Sequence, residues 1–278
     1  MTSSKGLFSY TGNKFRIWSS NLKTLLAPFE RIHEPFLGSG VCLYNSARGG
    51  IGIDSSNDVI ELHKCIFDPS FVVNCVSVAN DYYPSGETTK DGFMRLRSDF
   101  NNTWKVTGTT QDNAPMLHVL VQSSFNSLLR FGPNGFNTPF GYKKLDFNRL
   151  AAHVKLAEDK EFSFFVGDYS SLDLGQIDKE KDVIYFDPPY LASKYTYCGW
   201  NIENEVQLLE HIDGLDSLGY KFVLSNTFVH SGLTNSELIE WSKKYSVIDV
   251  SMRYFAWSAI VASAKTSKFT SEVIISNL

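Results

Sequence analysis

Cysteine is scarce and scattered: Cys42, Cys65, Cys75 and Cys198 form no C-x-x-C pair, and no histidine stands at ligand spacing from them. That speaks against a zinc site and equally against a disulfide framework. Long apolar runs are missing too. The most apolar late stretch, residues 254–264, is about half of what a membrane span needs. Met1 is followed by Thr-Ser-Ser-Lys-Gly, with no apolar segment of a secretory signal, so a soluble cytoplasmic protein is expected. Internal repeats, low-complexity runs and Gly/Ser linkers are absent. Charge of either sign is not in excess: 26 Lys and Arg against 30 Asp and Glu leave a net −4, which on its face argues against a nucleic-acid partner. What is present is an ordinary globular composition, 43% hydrophobic and 20% charged over 278 residues. Wholesale disorder, collagen and coiled coil are thereby excluded. The chain is long enough for one large core or two smaller ones, and 14% of it is aromatic.

Short apolar runs rich in Val, Ile, Phe and Tyr predict strands at 31–35, 50–54, 162–167, 183–187, 221–225, 247–252 and 272–276. They lack strict alternation, as strands covered on both faces do. Apolar residues at three- and four-residue spacing predict helices at 39–47, 57–66, 147–157, 203–218 and 235–245. The alternation of strand and helix implies an open, largely parallel α/β sheet. It breaks at about 68–146, where helical patterns at 92–102 and 115–128 precede the loop Gly132-Pro-Asn-Gly-Phe-Asn-Thr-Pro-Phe-Gly141. Only weak strand signals occur there. This predicts a mostly helical insertion, residues 68–146, dividing an α/β domain made of 1–67 and 147–278.

Three motifs could carry chemistry. Glu34-Pro-Phe-Leu-Gly-Ser-Gly40 falls between a strand and a helix, where Gly38 and Gly40 would let a ligand approach the backbone. It is not the dinucleotide fingerprint, whose third glycine would fall on Leu43. Asp54 ends the next strand, where a carboxylate can accept both hydroxyls of a ribose. Alone, these residues equally describe a tight βα turn with a surface Asp. Asp187-Pro-Pro-Tyr190 directly follows a strand, and two prolines stop the chain rigidly with Asp187 and Tyr190 at the sheet edge. Four specified residues would recur by chance in about 0.2% of chains of this length, although an acidic strand-ending turn is the simpler alternative. Tyr10-Thr-Gly-Asn-Lys14 is, on its own, a polar turn.

In this order the three motifs resemble those of the Dam-type DNA N6-adenine methyltransferases (D12 class), especially their phage branch. Further blocks have counterparts in that family: Phe125-Asn-Ser-Leu-Leu-Arg130, Phe136-Asn-Thr-Pro-Phe-Gly141, Ser225-Asn226, Glu240-Trp-Ser-Lys-Lys-Tyr245 and Glu272-Val-Ile-Ile. The resemblance runs from Tyr10 to Asn277 and is weak at about 70–115. It implies a Rossmann-like S-adenosylmethionine-dependent methyltransferase sheet with helices on both faces and an inserted target-recognition subdomain. It also implies a double-stranded DNA substrate, S-adenosylhomocysteine as product, no metal, and residence in a bacterial or phage-infected cell. Phe36, Gly38 and Gly40 would hold the methionine side of the cofactor and Asp54 its ribose. Tyr10, Gly12 and Lys14 would close over it, and Asp168 would meet its adenine, although Asp168 also reads as a strand-end turn. Ser9 stands where cellular members carry a DNA-touching Lys, so that contact is not carried over.

Adenine N6 is a poor nucleophile because its lone pair is delocalised into the ring. In the family's chemistry Asp187 and the Pro188 carbonyl would accept its N–H groups and favour a tetrahedral nitrogen, with Pro189 keeping the turn rigid and Tyr190 stacking on the base; Asp187 also belongs to the cofactor side. The base must leave the helix first. Phe125 and Asn126 match residues that enter the stack, Leu128 and Pro139 match apolar contacts to neighbouring pairs, and Arg130 matches the reader of guanine O6 and N7. A plain phosphate contact is the alternative for Arg130. Asn137 belongs to the same DNA-facing block, and Lys143 and Lys144 suit phosphates or, as a bare charge pair, solvent. A site such as GATC, or another beginning with GA, is expected. The charge distribution agrees: residues 1–50 carry six basic and two acidic side chains and 121–160 six and three, whereas 161–220 carry three and twelve. Positive charge thus collects in the segments assigned to DNA. An RNA or protein-glutamine methyltransferase, and a catalytically silent DNA-binding relative, are the rival readings; intact Asp187-Pro-Pro-Tyr190 and the 125–130 block stand against them.

Overall fold

A computed structural model describes residues 3–10, 12–191, 199–230, 233–250 and 270–278. Thr11, Cys198, the apolar stretch 254–264 and the last two residues of the strand expected at 247–252 lie outside them. The chain forms two compact units, Met1–Asp173 and Leu174–Leu278. Among the described residues no helix is long and apolar enough to cross a membrane.

The first unit opens with short helical turns α1 (Phe15–Ile17) and α2 (Lys23–Leu26), joined by a π-helical turn at Trp18–Leu22. There follow β1 (Arg31–His33), α3 (Val41–Asn45), β2 (Gly49–Asp54) and α4 (Asn57–Lys64). The next elements are helical: α5 (Phe71–Tyr82), α6 (Lys90–Thr107) and α7 (Ala114–Ser123). A two-residue ladder, β3 (Phe131–Gly132) and β4 (Gly135–Phe136), leads to α8 (Asn148–Asp159) and β5 (Glu161–Val166). β2 runs parallel to β5 along its whole length, from Gly49 opposite Glu161 to Asp54 opposite Val166. On its other edge a parallel bridge joins Gly52 to Glu34, just beyond β1. One apolar core, including Leu43, Ile60, Leu62, Phe71, Phe93, Phe100, Leu120, Phe162 and Phe164, joins β5 to all of α3–α8.

The second unit contains β6 (Asp182–Phe186), α9 (Ile202–Ser217), β7 (Phe222–His230), β8 (Leu233–Thr234), α10 (Ser236–Ser242), β9 (Ser246–Asp249) and β10 (Thr270–Ser276). β6 is buried from end to end and pairs in parallel with β7. β10 is antiparallel to both β7 and β9. The largely parallel sheet that was expected carries antiparallel pairing at this edge. A strand buried on both faces shows the same continuous apolar run whichever way it points, so its direction is not written in its pattern. Leu208, Leu209, Ile212 and Leu215 form the buried stripe of α9.

Both units are mixed α/β, and each expected strand in the described residues exists, with β7 longer than foreseen. Three helix expectations change. The helix expected at 39–47 is only Val41–Asn45, because Gly40 takes φ 71°, outside the helical region, at its N-cap. The one expected at 115–128 stops at Ser123: Ser124 turns extended and bridges to Phe140. α5 was not expected, because its run of Val residues suits a strand as readily as a helix; Phe71, Cys75 and Ala79, spaced by four, are its buried stripe.

Candidate functional site

The turn after β1 is held from every side. Gly38 sits at φ 47°, and a Cβ there would lie 3.0 Å from the Tyr10 ring, so this position accepts little besides glycine. Its N–H donates to Asp54 Oδ2 at 3.0 Å, and its carbonyl accepts from His63 Nε2 at 2.8 Å. Glu34 is buried, and its Oε2 accepts from the Leu43 N–H at 2.9 Å in the first turn of α3. Asp54 uses its other oxygen to accept from the Ser56 N–H at 2.9 Å. Burial pushes the Asp54 carboxyl up from its usual range, and the two backbone N–H groups partly oppose that. A carboxylate with about four acceptor sites keeps capacity for further donors after these two bonds.

The N-terminal segment packs against this turn. Asn13 Nδ2 donates to Ser39 Oγ and to the Lys5 carbonyl, both at 2.9 Å, and the Leu7 N–H donates to the Ser39 carbonyl at 2.9 Å. Gly12 takes φ 80°, and its carbonyl accepts from the Nζ of buried Lys14 at 2.8 Å. Phe36 stacks on Tyr169, with ring centroids 5.4 Å apart and planes at 25°. Asp168, beyond the end of β5, accepts from the Ser170 N–H at 3.0 Å and so orients the short turn carrying Tyr169. Asp54 thus ends β2 and Asp168 lies just beyond β5, at the carboxyl ends of two paired parallel strands, where α/β sheets bind ligands. Asn13, His63 and Tyr169 were not singled out in the sequence. His63 lies among the buried residues of α4 and reads there as a core histidine.

The eight residues expected to face DNA lie on one irregular hairpin and the chain just after it. The Phe125 N–H donates to the Pro139 carbonyl at 2.8 Å, the Gly141 N–H to the Ser123 carbonyl at 2.9 Å, and the Asn137 N–H to the Arg130 carbonyl at 3.0 Å. Thr138 Oγ1 ties across to the Leu128 carbonyl at 2.7 Å. Phe131 then pairs with Phe136 and Gly132 with Gly135 at the tip. Phe125 is 57% exposed, unusual for a phenyl ring in a folded chain. Asn126 and Ser127 both hold positive φ, 55° and 51°, a sterically costly pair that clusters at working sites. Lys143 Nζ donates to Ser127 Oγ at 2.8 Å, while burial of its amine lowers its pKa. Lys144, next to it, is exposed. Arg130 turns its guanidinium onto Asn137, donating from Nε to Oδ1 at 2.7 Å and from Nη2 to the backbone carbonyl at 3.0 Å.

In the second unit Asp187-Pro188-Pro189-Tyr190 follows the carboxyl end of β6. Tyr190 Oη donates to Glu272 Oε1 at 3.1 Å, 82 residues away in sequence. Burial, then the negative charges of Asp187 and Glu272, hold the Tyr190 hydroxyl well above the usual phenol range. Tyr185 Oη of β6 and Ser225 Oγ of the paired strand β7 are 2.8 Å apart. Glu205 is fully buried. Its Oε1 accepts from Asn226 Nδ2 at 2.9 Å and Asn235 Nδ2 at 2.7 Å, and its Oε2 from Trp200 Nε1 at 2.8 Å. The signal for Glu205 was available: it sits three residues before Leu208, in line with the apolar stripe of α9.

A glycine turn followed by a strand-end carboxylate, an exposed aromatic hairpin and, in the second unit, an Asp-Pro-Pro-Tyr turn are thus all carried by a mixed α/β chain. The sequence matches the family of D12 class N6 adenine-specific DNA methyltransferases over residues 10–255, and the chain belongs to that family. Among curated relatives it is similar to the type II methyltransferase M.FokI of Planomicrobium okeanokoites, 28% identical over 260 residues, covering 87% of this chain and 39% of that protein. The modification methylase StsI of Streptococcus sanguinis is 27% identical over 98% of this chain and 43% of its own length. The modification methylase LlaI of Lactococcus lactis subsp. lactis is 35% identical over 55% of this chain and 25% of its own. The chain therefore spans less than half the length of these three relatives.

Proposed function

We propose that this chain transfers a methyl group from S-adenosylmethionine to N6 of an adenine flipped out of double-stranded DNA, at GATC or a related site beginning with GA. The observation that carries the reading is the Asp187-Pro-Pro-Tyr190 turn at the carboxyl end of β6, in a chain of this family. The turn after β1 fits the cofactor. Gly38 offers bare backbone beside Tyr10, and Asp54 retains acceptor sites for two ribose hydroxyls. In this reading Tyr10, Gly12, Lys14, Phe36, Gly38, Gly40, Asp54 and Asp168 hold the cofactor, which when bound supplies the electrophilic sulfonium methyl.

The chain's own part is to shape the nucleophile. The Asp187 carboxylate and the Pro188 carbonyl accept the two N6–H groups and turn the nitrogen lone pair toward the methyl. When the N–C bond forms, the nitrogen becomes acidic and gives up one proton, for which Asp187 is the acceptor at hand. Tyr190, fastened to Glu272, stacks on the base without freedom to swing. Segment 68–146 serves target recognition. Phe125 and Asn126 take the vacated place in the stack, Leu128 and Pro139 pack on neighbouring pairs, Arg130 reads guanine, and Lys143 and Lys144 meet phosphates.

The test incubates the full chain with methyl-labelled S-adenosylmethionine and GATC-containing duplex, beside Asp187→Ala. Label in N6-methyladenine with the wild type and none with the variant is expected. No label with the wild type overturns the activity, and equal label from both overturns the role of Asp187.

A further inference from the structure

We propose that Asn137 is a positioning residue for Arg130, presetting its guanidinium for a guanine before DNA arrives. The inference rests on the reading of Arg130 given above and specifies how that site obtains its selectivity. Arginine has five N–H donors. Asn137 takes two from one edge, Nε–H with its side-chain oxygen at 2.7 Å and Nη2–H with its backbone oxygen at 3.0 Å. The terminal edge, one N–H on each of Nη1 and Nη2, stays available, and this is the pair of parallel donors that matches O6 and N7 of guanine. Because a free arginine side chain loses rotamer entropy when fixed, holding it in advance makes reading more favourable.

Asn137 is itself held in place. The preceding residue, Phe136, has its N–H and its carbonyl both bonded to the side-chain amide of Asn101 on α6, at 2.8 and 3.0 Å. The amide acts as a short substitute strand. Its close approach requires a glycine at 135, where φ is 101° and a Cβ would fall 2.4 Å from Asn101 Oδ1. Thus α6 fixes Phe136, Phe136 fixes the start of Asn137, and Asn137 fixes Arg130. No other side chain hydrogen-bonds the Arg130 guanidinium among the described residues.

The same geometry separates positioning from direct DNA contact. Positioning uses the oxygen of Asn137 as an acceptor, which Asp retains. A contact to phosphate would use the amide N–H, which Asp lacks and opposes with charge. The experiment first maps the methylated adenines left by the wild-type chain in random-sequence DNA. It then measures kcat/KM for the mapped site and for duplexes with each guanine replaced, using wild type, Arg130→Ala, Asn137→Ala and Asn137→Asp. Expected is a preference for guanine at one position that Arg130→Ala abolishes. Asn137→Ala should lower that preference at least tenfold and Asn137→Asp keep it within threefold, whatever its total affinity for DNA. Full preference in Asn137→Ala, or equal loss in both Asn137 variants, overturns the positioning role. A wild type that methylates no DNA overturns the enzymatic reading together with this inference. A methylating wild type whose selectivity survives Arg130→Ala overturns the Arg130 assignment and the inference, and leaves the activity standing.

Discussion

His63 donates its Nε2–H to the carbonyl of Gly38 at 2.8 Å, which it can do only as the Nε2–H tautomer, because a carbonyl accepts and never donates. Its Nδ1 therefore accepts from the Tyr44 hydroxyl, 2.6 Å away. Phe8, Tyr44 and Phe164 pack around the ring, at centroid distances of 5.4, 5.6 and 5.2 Å. The glycine turn thus rests on a rigid aromatic floor. Replacing His63 by Ala leaves a carbonyl without its donor, a loss of about 1–3 kcal/mol. The Kd for S-adenosylmethionine, followed by calorimetry, should rise about tenfold or more in His63→Ala and recover partly in His63→Gln, which restores an N–H donor. An unchanged Kd in both would refute the supporting role.

Three of the four buried histidines in the first unit, His63, His118 and His153, make it acid-sensitive. Burial lowers His63 to about 3, His118 to about 4 and His153 to about 4. The unfolded chain takes up these protons near pH 6.5 and the folded chain refuses them. Stability is therefore complete above about pH 6.5 and is lost as pH falls toward the folded values, by up to ~1.4 kcal/mol per pH unit for each histidine. Urea unfolding at pH 7.5, 6 and 5 should show this slope. His153→Gln, which removes a ring set between the Arg149 carbonyl and Ser4 Oγ, should flatten it. Equal stability at pH 7.5 and 5 would contradict the neutral state of these rings.

The Tyr190–Glu272 bond gives a kinetic expectation. Tyr190→Phe keeps the ring and loses the anchor, so kcat should fall less than about tenfold, whereas Tyr190→Ala should lose about a hundredfold or more through lost stacking and positioning. Because the hydroxyl titrates well above its usual range, no basic limb belonging to Tyr190 should enter the wild-type rate profile below pH 10. A limb near pH 9 that vanishes in Tyr190→Phe would oppose this account.

Glu205 satisfies three donors, two from buried asparagines on one oxygen and one from Trp200 on the other. Glutamine has one oxygen and must turn an NH2 toward at least one of them. Glu205→Gln is therefore expected to cost about 1–3 kcal/mol, read as a lower denaturation midpoint. A midpoint equal to wild type would show that the network relaxes at no cost.

Lys143 and Lys144 are assigned to phosphates and therefore to affinity without selectivity. Each Lys→Ala change should lower the slope of log K against log salt by about 0.9 and leave the preferred site unchanged. A changed site preference would move either residue to the base-reading group.

The strands at 31–33, 49–54, 161–166 and 182–186 were legible because runs of apolar β-formers bounded by Gly, Pro and Asp leave little choice. Gly38 and Asp187 stood out as candidates because each belongs to a motif complete within a few consecutive residues, and Asp54 because it ends the strand after the glycine turn. β10 could not be oriented, and α7 could not be ended, from their own letters. The turn at Ser124 depends on a bridge to Phe140, and the left-handed pair Asn126–Ser127 is one that local propensity disfavours. The net charge of −4 pointed away from nucleic acid until its distribution along the chain was considered.

What the sequence by itself determined is the family, the α/β alternation and the chemical groups in each motif. These depend on neighbours in the chain, where Gly frees a dihedral and Pro fixes one. What only the tertiary structure decided is which groups hold those motifs in place: His63 under Gly38, Asn101 and Asn137 behind Arg130, Glu272 behind Tyr190, and Glu205 among Asn226, Asn235 and Trp200. Most of these partners lie tens of residues apart. A hydrogen bond across such a separation forms only after the core has packed and brought donor and acceptor within about 3 Å, so their identity is set by packing and leaves no local pattern.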